Sequence, residues 1–185
     1  MGRFALTVQA AFLLGKVLRN FRAPTGATDG NSFHEEEANI LDKAILALTQ
    51  VSLQESRQRT EAFHSTKLLY LLADDHSARL ILNTQMLSWL QNSPDHEVRT
   101  ESILNTRLAI ASEMLGLART INRTGLCGRE ESSPFCLDAM YRSALIYGQL
   151  SQNTVISDAR GALDEIKRGL EANNRRWKAA GTARN

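Results

Sequence analysis

The helical spacing of apolar residues is the feature that most constrains what this chain can fold into. Apolar residues recur at intervals of three and four along most of the 185 residues, and no segment alternates with period two. Only 3 prolines and 11 glycines interrupt the pattern. The sequence therefore predicts an all-α protein, an irregular bundle of about six helices without a sheet.

Polar stretches and stretches with glycine or proline divide this pattern into separate helices. We predict that the third helix breaks at Asp74-Asp75-His76, because polar residues interrupt its apolar pattern there. The fourth has a wide apolar face, which predicts a central position in the bundle. Pro134 fits the first position of the fifth helix, with Ser133 as its cap. The predicted helices are 4–20, 32–54, 61–91, 97–121, 134–152 and one that starts at 157 or 158.

Apolar stripes on the first and last helices predict which residues are buried. In the last helix, Trp177 continues the stripe two turns beyond Leu170, so we predict that its ring is in the core. Asp164 and Arg168 are predicted to pair on the outer face. The stripe of the first helix is Phe4, Val8, Ala11, Phe12 and Leu18, and that of the last is Ala159, Leu163, Ile166, Leu170 and Trp177.

Charge and hydropathy point to neither a nucleic acid nor a membrane as a partner. The 22 basic and 20 acidic residues are spread along the chain and give a net charge of +2, far from the concentrated positive field that binds DNA. No apolar stretch reaches the roughly 20 residues of a membrane span, so we expect a soluble protein. Residues 1–22 contain basic and no acidic residues, as in a transit peptide, but their helical spacing favours an ordinary helix.

Residue types that commonly carry catalysis or bind metals form no recognisable motif. His34-Glu35 resembles the start of a metalloprotease helix, but Ala38 stands where the second histidine ligand must lie. Cys127 and Cys136 match neither a redox pair nor a zinc-ligand pair, which predicts reduced thiols in an intracellular protein. The other histidines, His64, His76 and His96, lie far apart. We therefore predict no catalytic, cofactor-binding or metal-binding residue, and a protein that is not an enzyme.

Three weaker patterns favour structural interpretations. The isolated Gly26 and Gly30 lack the Lys-Ser or Lys-Thr of a phosphate-binding loop. Asn122-Arg123-Thr124 is formally a glycosylation sequon, which we interpret as chance because no secretory signal accompanies it. A basic run surrounds Trp177 and fits a solvated helix end better than a nucleic-acid site. Its members are Arg175, Arg176, Lys178 and Arg184.

Four segments, taken in order, are similar to a known family. Residues 10–18 combine an alanine-rich apolar run with Leu-Gly-Lys-Val-Leu, and residues 33–48 form an acidic-entry helix. Residues 133–141 and 170–181 supply the penultimate and final helices, the last with Arg-Trp-Lys-Ala-Ala-Gly. In this order and spacing the chain resembles the helical regulatory domain of fungal zinc-cluster transcription factors.

The resemblance implies an all-α, nuclear regulatory domain that senses small ligands or binds protein partners, joined to an N-terminal binuclear zinc cluster with six cysteines. This chain has two cysteines and no sustained heptads, so direct DNA recognition is not carried over to it. It also begins within the family's domain and stops four residues after Gly181. We therefore expect residues 1–185 to be either a single helical domain or the C-terminal fragment of such a regulatory domain.

Transcription regulation through partner contacts or ligand sensing is the leading functional hypothesis. The runner-up is a generic helical interaction scaffold, although a repeat scaffold would show a fixed period that the sequence lacks. A helical enzyme, the third class, would need polar groups that converge in a pocket, which the sequence does not reveal.

Overall fold

A computed structural model describes residues 3–21, 30–58, 64–90, 96–124, 134–152 and 158–182. Every one of these residues except Asp158 lies in an α-helix, so this part of the chain contains no strand and the all-α prediction is confirmed. The helices are α1 (Arg3–Phe21), α2 (Gly30–Gln58), α3 (His64–Leu90), α4 (His96–Thr124), α5 (Pro134–Gln152) and α6 (Ala159–Thr182).

Most helix ends lie close to their predicted positions. α5 begins at Pro134, because a proline at the first position sacrifices no intrahelical hydrogen bond. α2 begins at Gly30, two residues earlier than predicted, and α4 continues through Thr124, three residues further than predicted. Ser133 lies outside the described residues. The stretch over 23–31, rich in turn-forming residues, is predicted to be a loop; residues 23–29 lie outside the described residues, but Gly30 and Asn31 lie in α2.

The chain divides into two compact units, residues 1–107 and 108–185. The division falls within α4, so its first part belongs to the first unit and its remainder to the second. The assignment of all 185 residues to a single domain stays a prediction.

In the first unit, α1, α2 and α3 pack against one another. Early residues of α1, such as Leu6, cluster with Leu48 late in α2. Val17, late in α1, clusters with Ala38 early in α2, so the two helices run antiparallel. The main core cluster is Leu14, Val17, Ala38, Leu41, Ile45, Ala78, Ile81, Leu82, Met86, Leu90 and Ile103.

The face of α1 that packs against this core is not the predicted one. Val8 is 49% exposed and Phe12 63% exposed, and Ala11 and Leu18 are exposed as well. The side chain of Phe4 lies outside the described residues. α1 is apolar around most of its circumference, so spacing alone leaves two stripes to choose between. The buried stripe is Leu6, Ala10, Leu14 and Val17.

The predicted break at Asp74-Asp75-His76 is wrong, because α3 is continuous through these residues. Every residue from Ala73 to Asn83 except Arg79 is buried. Arg79 remains half-buried and donates from Nε to Asp42 Oδ1 of α2 at 2.9 Å. A stretch of helix that is buried around its whole circumference is central to its unit, so residues 73–83 of α3 lie at the centre of the first unit. The central position of the segment over 97–121 stays a prediction.

In the second unit, α5 packs against α6, and α6 approaches α4 at Gly169. A Cβ built on Gly169 would lie 3.1 Å from Ala118 Cβ and 2.7 Å from Met140 Cε. Asn122, one residue beyond the predicted end of the fourth helix, lies in α4 and donates from Nδ2 to the Glu165 backbone oxygen at 2.9 Å. The amide of the formal sequon is therefore engaged in the contact between α4 and α6.

The predicted stripe of α6 is confirmed as far as its side chains are described. Ala159 and Ile166 are buried, and Leu163 and Leu170 are half-buried, whereas the side chain of Trp177 lies outside the described residues. The predicted pair of Arg168 with Asp164 is replaced by one with Glu165: Arg168 Nη2 donates to Glu165 Oε1 at 2.6 Å, since i,i+3 neighbours on a helix are as close as i,i+4 neighbours.

Candidate functional site

The residues that the sequence singled out for chemistry are not brought together in the described part of the chain. The side chains of His34, His64 and His96 lie outside the described residues, as does Cys127. Cys136 is buried. The described residues contain no group of three or more His, Cys, Asp or Glu side chains that would hold a metal ion. The basic side chains around Trp177 also lie outside the described residues.

A buried polar patch lies where α2 meets α3 in the first unit. Thr49 and Ser52 of α2 are buried, as is Asp75 of α3, which is 2% exposed. Thr49 Oγ1 lies 3.1 Å from Asp75 Oδ2 and 3.0 Å from the Ile45 backbone oxygen. Among the described residues, Ser52 Oγ and Asp75 Oδ1 have no hydrogen-bond partner. The patch is therefore shielded from solvent and incompletely hydrogen-bonded.

Asp75 has a pKa near neutral pH, so its carboxyl group gains and loses a proton there. Burial raises the pKa of Asp75 to about 7; the hydrogen bond with Thr49 lowers it, the neighbouring carboxylate of Asp74 raises it, and Arg79 lowers it. The Thr49 hydroxyl has one proton and two acceptors within reach. When Asp75 is protonated, its Oδ2–H donates to Thr49 Oγ1, which in turn donates to Ile45 O. Asp75 Oδ2, Thr49 Oγ1 and the Ile45 backbone oxygen then each take part in a hydrogen bond, with the protons of the Asp75 carboxyl and the Thr49 hydroxyl.

An apolar groove runs between α1 and α2 on the surface of the first unit. It encloses about 330 Å³, and the residues on its floor and walls come from one turn of α1 and two turns of α2. Among the described residues that line it, only Gln9 is polar. The lining residues, which define the α1–α2 groove, are Gln9, Phe12, Leu13, Ala44, Ala47, Leu48 and Val51.

The apolar surface continues beyond the groove itself. Val8 precedes Phe12 by one turn of α1 and is 49% exposed, and Ile40 precedes Ala44 by one turn of α2 and is 60% exposed. Lys16 lies with its Nζ 5.6 Å from the centre of the Phe12 ring. Its ammonium group thus covers one end of the aromatic face without burying it. This arrangement can bind an apolar partner but contains no acid, base or nucleophile in its lining.

The groove was missed by sequence reasoning, which assigned Phe12 and Val8 to the core. The signal that could have found it was the apolar character of both sides of α1. A helix with two apolar sides and one core to pack against leaves the second side exposed, and exposed apolar patches often mark interaction sites.

No family model, no curated protein and no solved structure matches this chain. Among the helices that the structure describes, none is long and apolar enough to cross a membrane.

Proposed function

We propose that the chain is a non-catalytic regulatory domain of a fungal zinc-cluster transcription factor, acting in the nucleus through contacts with protein partners. The observation that carries the proposal is the α1–α2 groove, whose exposed apolar lining offers a binding surface and no catalytic group. The ordered resemblance of four segments supplies the family, and two of those segments lie in α1 and α2. DNA recognition would come from a zinc-cluster module that residues 1–185 do not contain.

Ligand sensing is the other mode that the resemblance implies. A groove of about 330 Å³ lies at the small end of the range in which proteins hold small molecules. The groove is open along one side and flanked by further exposed apolar side chains, so it suits an elongated partner better than a small enclosed ligand.

A generic helical interaction scaffold remains the second candidate function. The exposed groove fits a scaffold equally well, because apolar docking surfaces serve both classes of protein. The two differ in their consequence: a regulatory domain alters transcription when it is brought to a promoter, and a scaffold for unrelated partners does not.

Tethering the chain to a promoter tests the proposal. Residues 1–185 are fused to a heterologous DNA-binding domain in a fungal strain with a reporter gene under matching sites. We expect reporter transcript to change relative to the DNA-binding domain alone, and not when the sites are removed. Unchanged transcript with fusion protein present in the nucleus would contradict the regulatory function and favour the scaffold.

A further inference from the structure

We propose that the α1–α2 groove receives an amphipathic helix of a partner protein whose polar flank carries aspartate or glutamate at one end. The apolar stripe of that helix lies on Phe12 and Val51, and its carboxylates face Lys16 and Lys43. The inference deepens the proposed function, on which its biological role rests, by naming the chemistry of the partner.

The dimensions of the exposed apolar surface match a helix. From Ile40 to Val51 the α2 wall rises by roughly 16 Å, which equals three turns of helix. A helix in a groove contacts its receptor through residues at i, i+3 or i+4, and i+7, and this pattern covers the same length. A small ligand confined to the groove would leave Ile40 and Val8, 60% and 49% exposed, uncovered.

The charges at the rim set the chemistry of the partner. Lys16 follows Phe12 by one turn on α1, and the exposed Lys43 precedes Ala47 by one turn on α2. Because the two helices run antiparallel, both lysines lie at the same end of the groove. The acidic residues of this part of α2, Glu36 and Glu37, precede Ile40 by four and three residues and so lie further along α2 than the groove lining. The rim of the groove at Lys16 and Lys43 is therefore basic and attracts a carboxylate-bearing segment.

Phe12 is suited to be the anchor of this interface. It is 63% exposed, so a partner would remove much of its ring from water. Aromatic side chains at the centre of an apolar surface contribute a large share of binding energy in helix–groove complexes. Lys16, stacked over the ring at 5.6 Å, combines the anchor with the charge that selects the partner.

Binding of two synthetic helices to the whole chain tests the proposal. Both peptides have about 18 residues, long enough to form a helix on binding, with leucines at i, i+4, i+7 and i+11. One carries glutamates beside the stripe at one end, and the other lysines at the same positions. Fluorescence anisotropy should show the glutamate peptide binding at least about tenfold more tightly, as expected for two rim ion pairs.

Variants separate the groove from a general loss of folding. Phe12→Glu should abolish binding, and Val98→Glu, at a valine that is 77% exposed on α4 and does not line the groove, should leave it unchanged. The double variant Lys16→Glu with Lys43→Glu should reverse the preference, so that the lysine peptide binds more tightly. A reversed preference can be observed only if the double variant is folded, so this result cannot arise from a loss of folding.

Three outcomes would overturn the proposal. If neither peptide binds while the tethered chain still alters transcription, the occupant is wrong although the regulatory function holds. If vesicles of phosphatidylserine and phosphatidylcholine bind through Lys16 and Lys43 and the peptides do not, the groove faces a lipid surface. If sedimentation shows a dimer that Phe12→Glu dissociates and the peptides do not compete, the occupant is a second copy.

Discussion

Replacing Asp75 by asparagine makes the protein more stable than the parent at pH 8, and the gain shrinks as the pH falls. The pKa of Asp75 is raised from 3.8 to about 7 in the folded chain, so folding takes up a proton between these values. The stability that protonated Asp75 contributes is fully present below pH 3.8 and is lost as the pH rises through 7. Asparagine stays neutral and donates to Thr49 from Nδ2, as protonated Asp75 does from Oδ2.

The difference in unfolding free energy between Asp75→Asn and the parent should grow by about 4 kcal/mol from pH 4 to pH 8, since one pKa unit corresponds to 1.36 kcal/mol. Urea melts at several pH values measure it. Because the two chains share all other groups, the titration of carboxylates that do not interact with Asp75 cancels. Asp164→Asn, at an exposed carboxylate of α6, is the matched control and should change stability by no more than about 0.5 kcal/mol. A gain that does not vary with pH would refute the buried-proton account.

Replacing Gly169 by leucine should destabilise the protein by about 3 kcal/mol, the upper range for overpacking a tight contact. Even a Cβ at this position would lie 3.3 Å from Ala118 Cα, an atom of the α4 backbone. Met140 Cε can move aside because it ends a flexible side chain, but a backbone atom moves only with its helix. α6 must therefore shift away from α4 and weaken the hydrogen bonds between Asn122 and Glu165.

Gly116→Leu is the control for this change, because Gly116 is an exposed glycine of α4 and a Cβ added there would meet no atom within 4 Å. Leucine is a better helix former than glycine, so this variant should gain about 0.5 to 1 kcal/mol. Chemical denaturation of the three chains gives both values. Equal effects of the two substitutions, or a stabilised Gly169→Leu, would show that α6 does not lie this close to α4.

Local sequence predicted the helices and the buried stripe of α6 well, but not which side of α1 is buried. Helical periodicity and the proline at position 134 fix where a helix forms, because these signals act within the segment itself. Which side of α1 is buried depends on the surfaces of α2 and α3 against which it packs. α1 has Val8 and Phe12 on one side and Ala10 and Leu14 on another, so either side is apolar enough to be buried. The groove follows from that choice and was therefore beyond the reach of spacing alone.

The polar residues of α3 show a second limit. Consecutive acidic residues and a histidine are typical of solvated helix ends, yet Asp74, Asp75 and His76 lie in the middle of a buried helix. The helix is maintained because its backbone hydrogen bonds are internal, and Asp75 is accommodated by Thr49, which lies 26 positions earlier. A partner so distant in sequence leaves no local signal. The pKa of Asp75 is raised mainly by burial between helices, which the local sequence does not reveal either.

Regulation of transcription through contacts at the α1–α2 groove is tested most directly by carrying Phe12→Glu into the tethered reporter strain. Val98→Glu, at a valine that is also exposed but does not line the groove, serves as the matched variant. With equal amounts of fusion protein in the nucleus, we predict that Phe12→Glu returns the transcript to the level of the DNA-binding domain alone and that Val98→Glu behaves like the parent. Full regulation by the Phe12→Glu chain would contradict the proposed role of the groove.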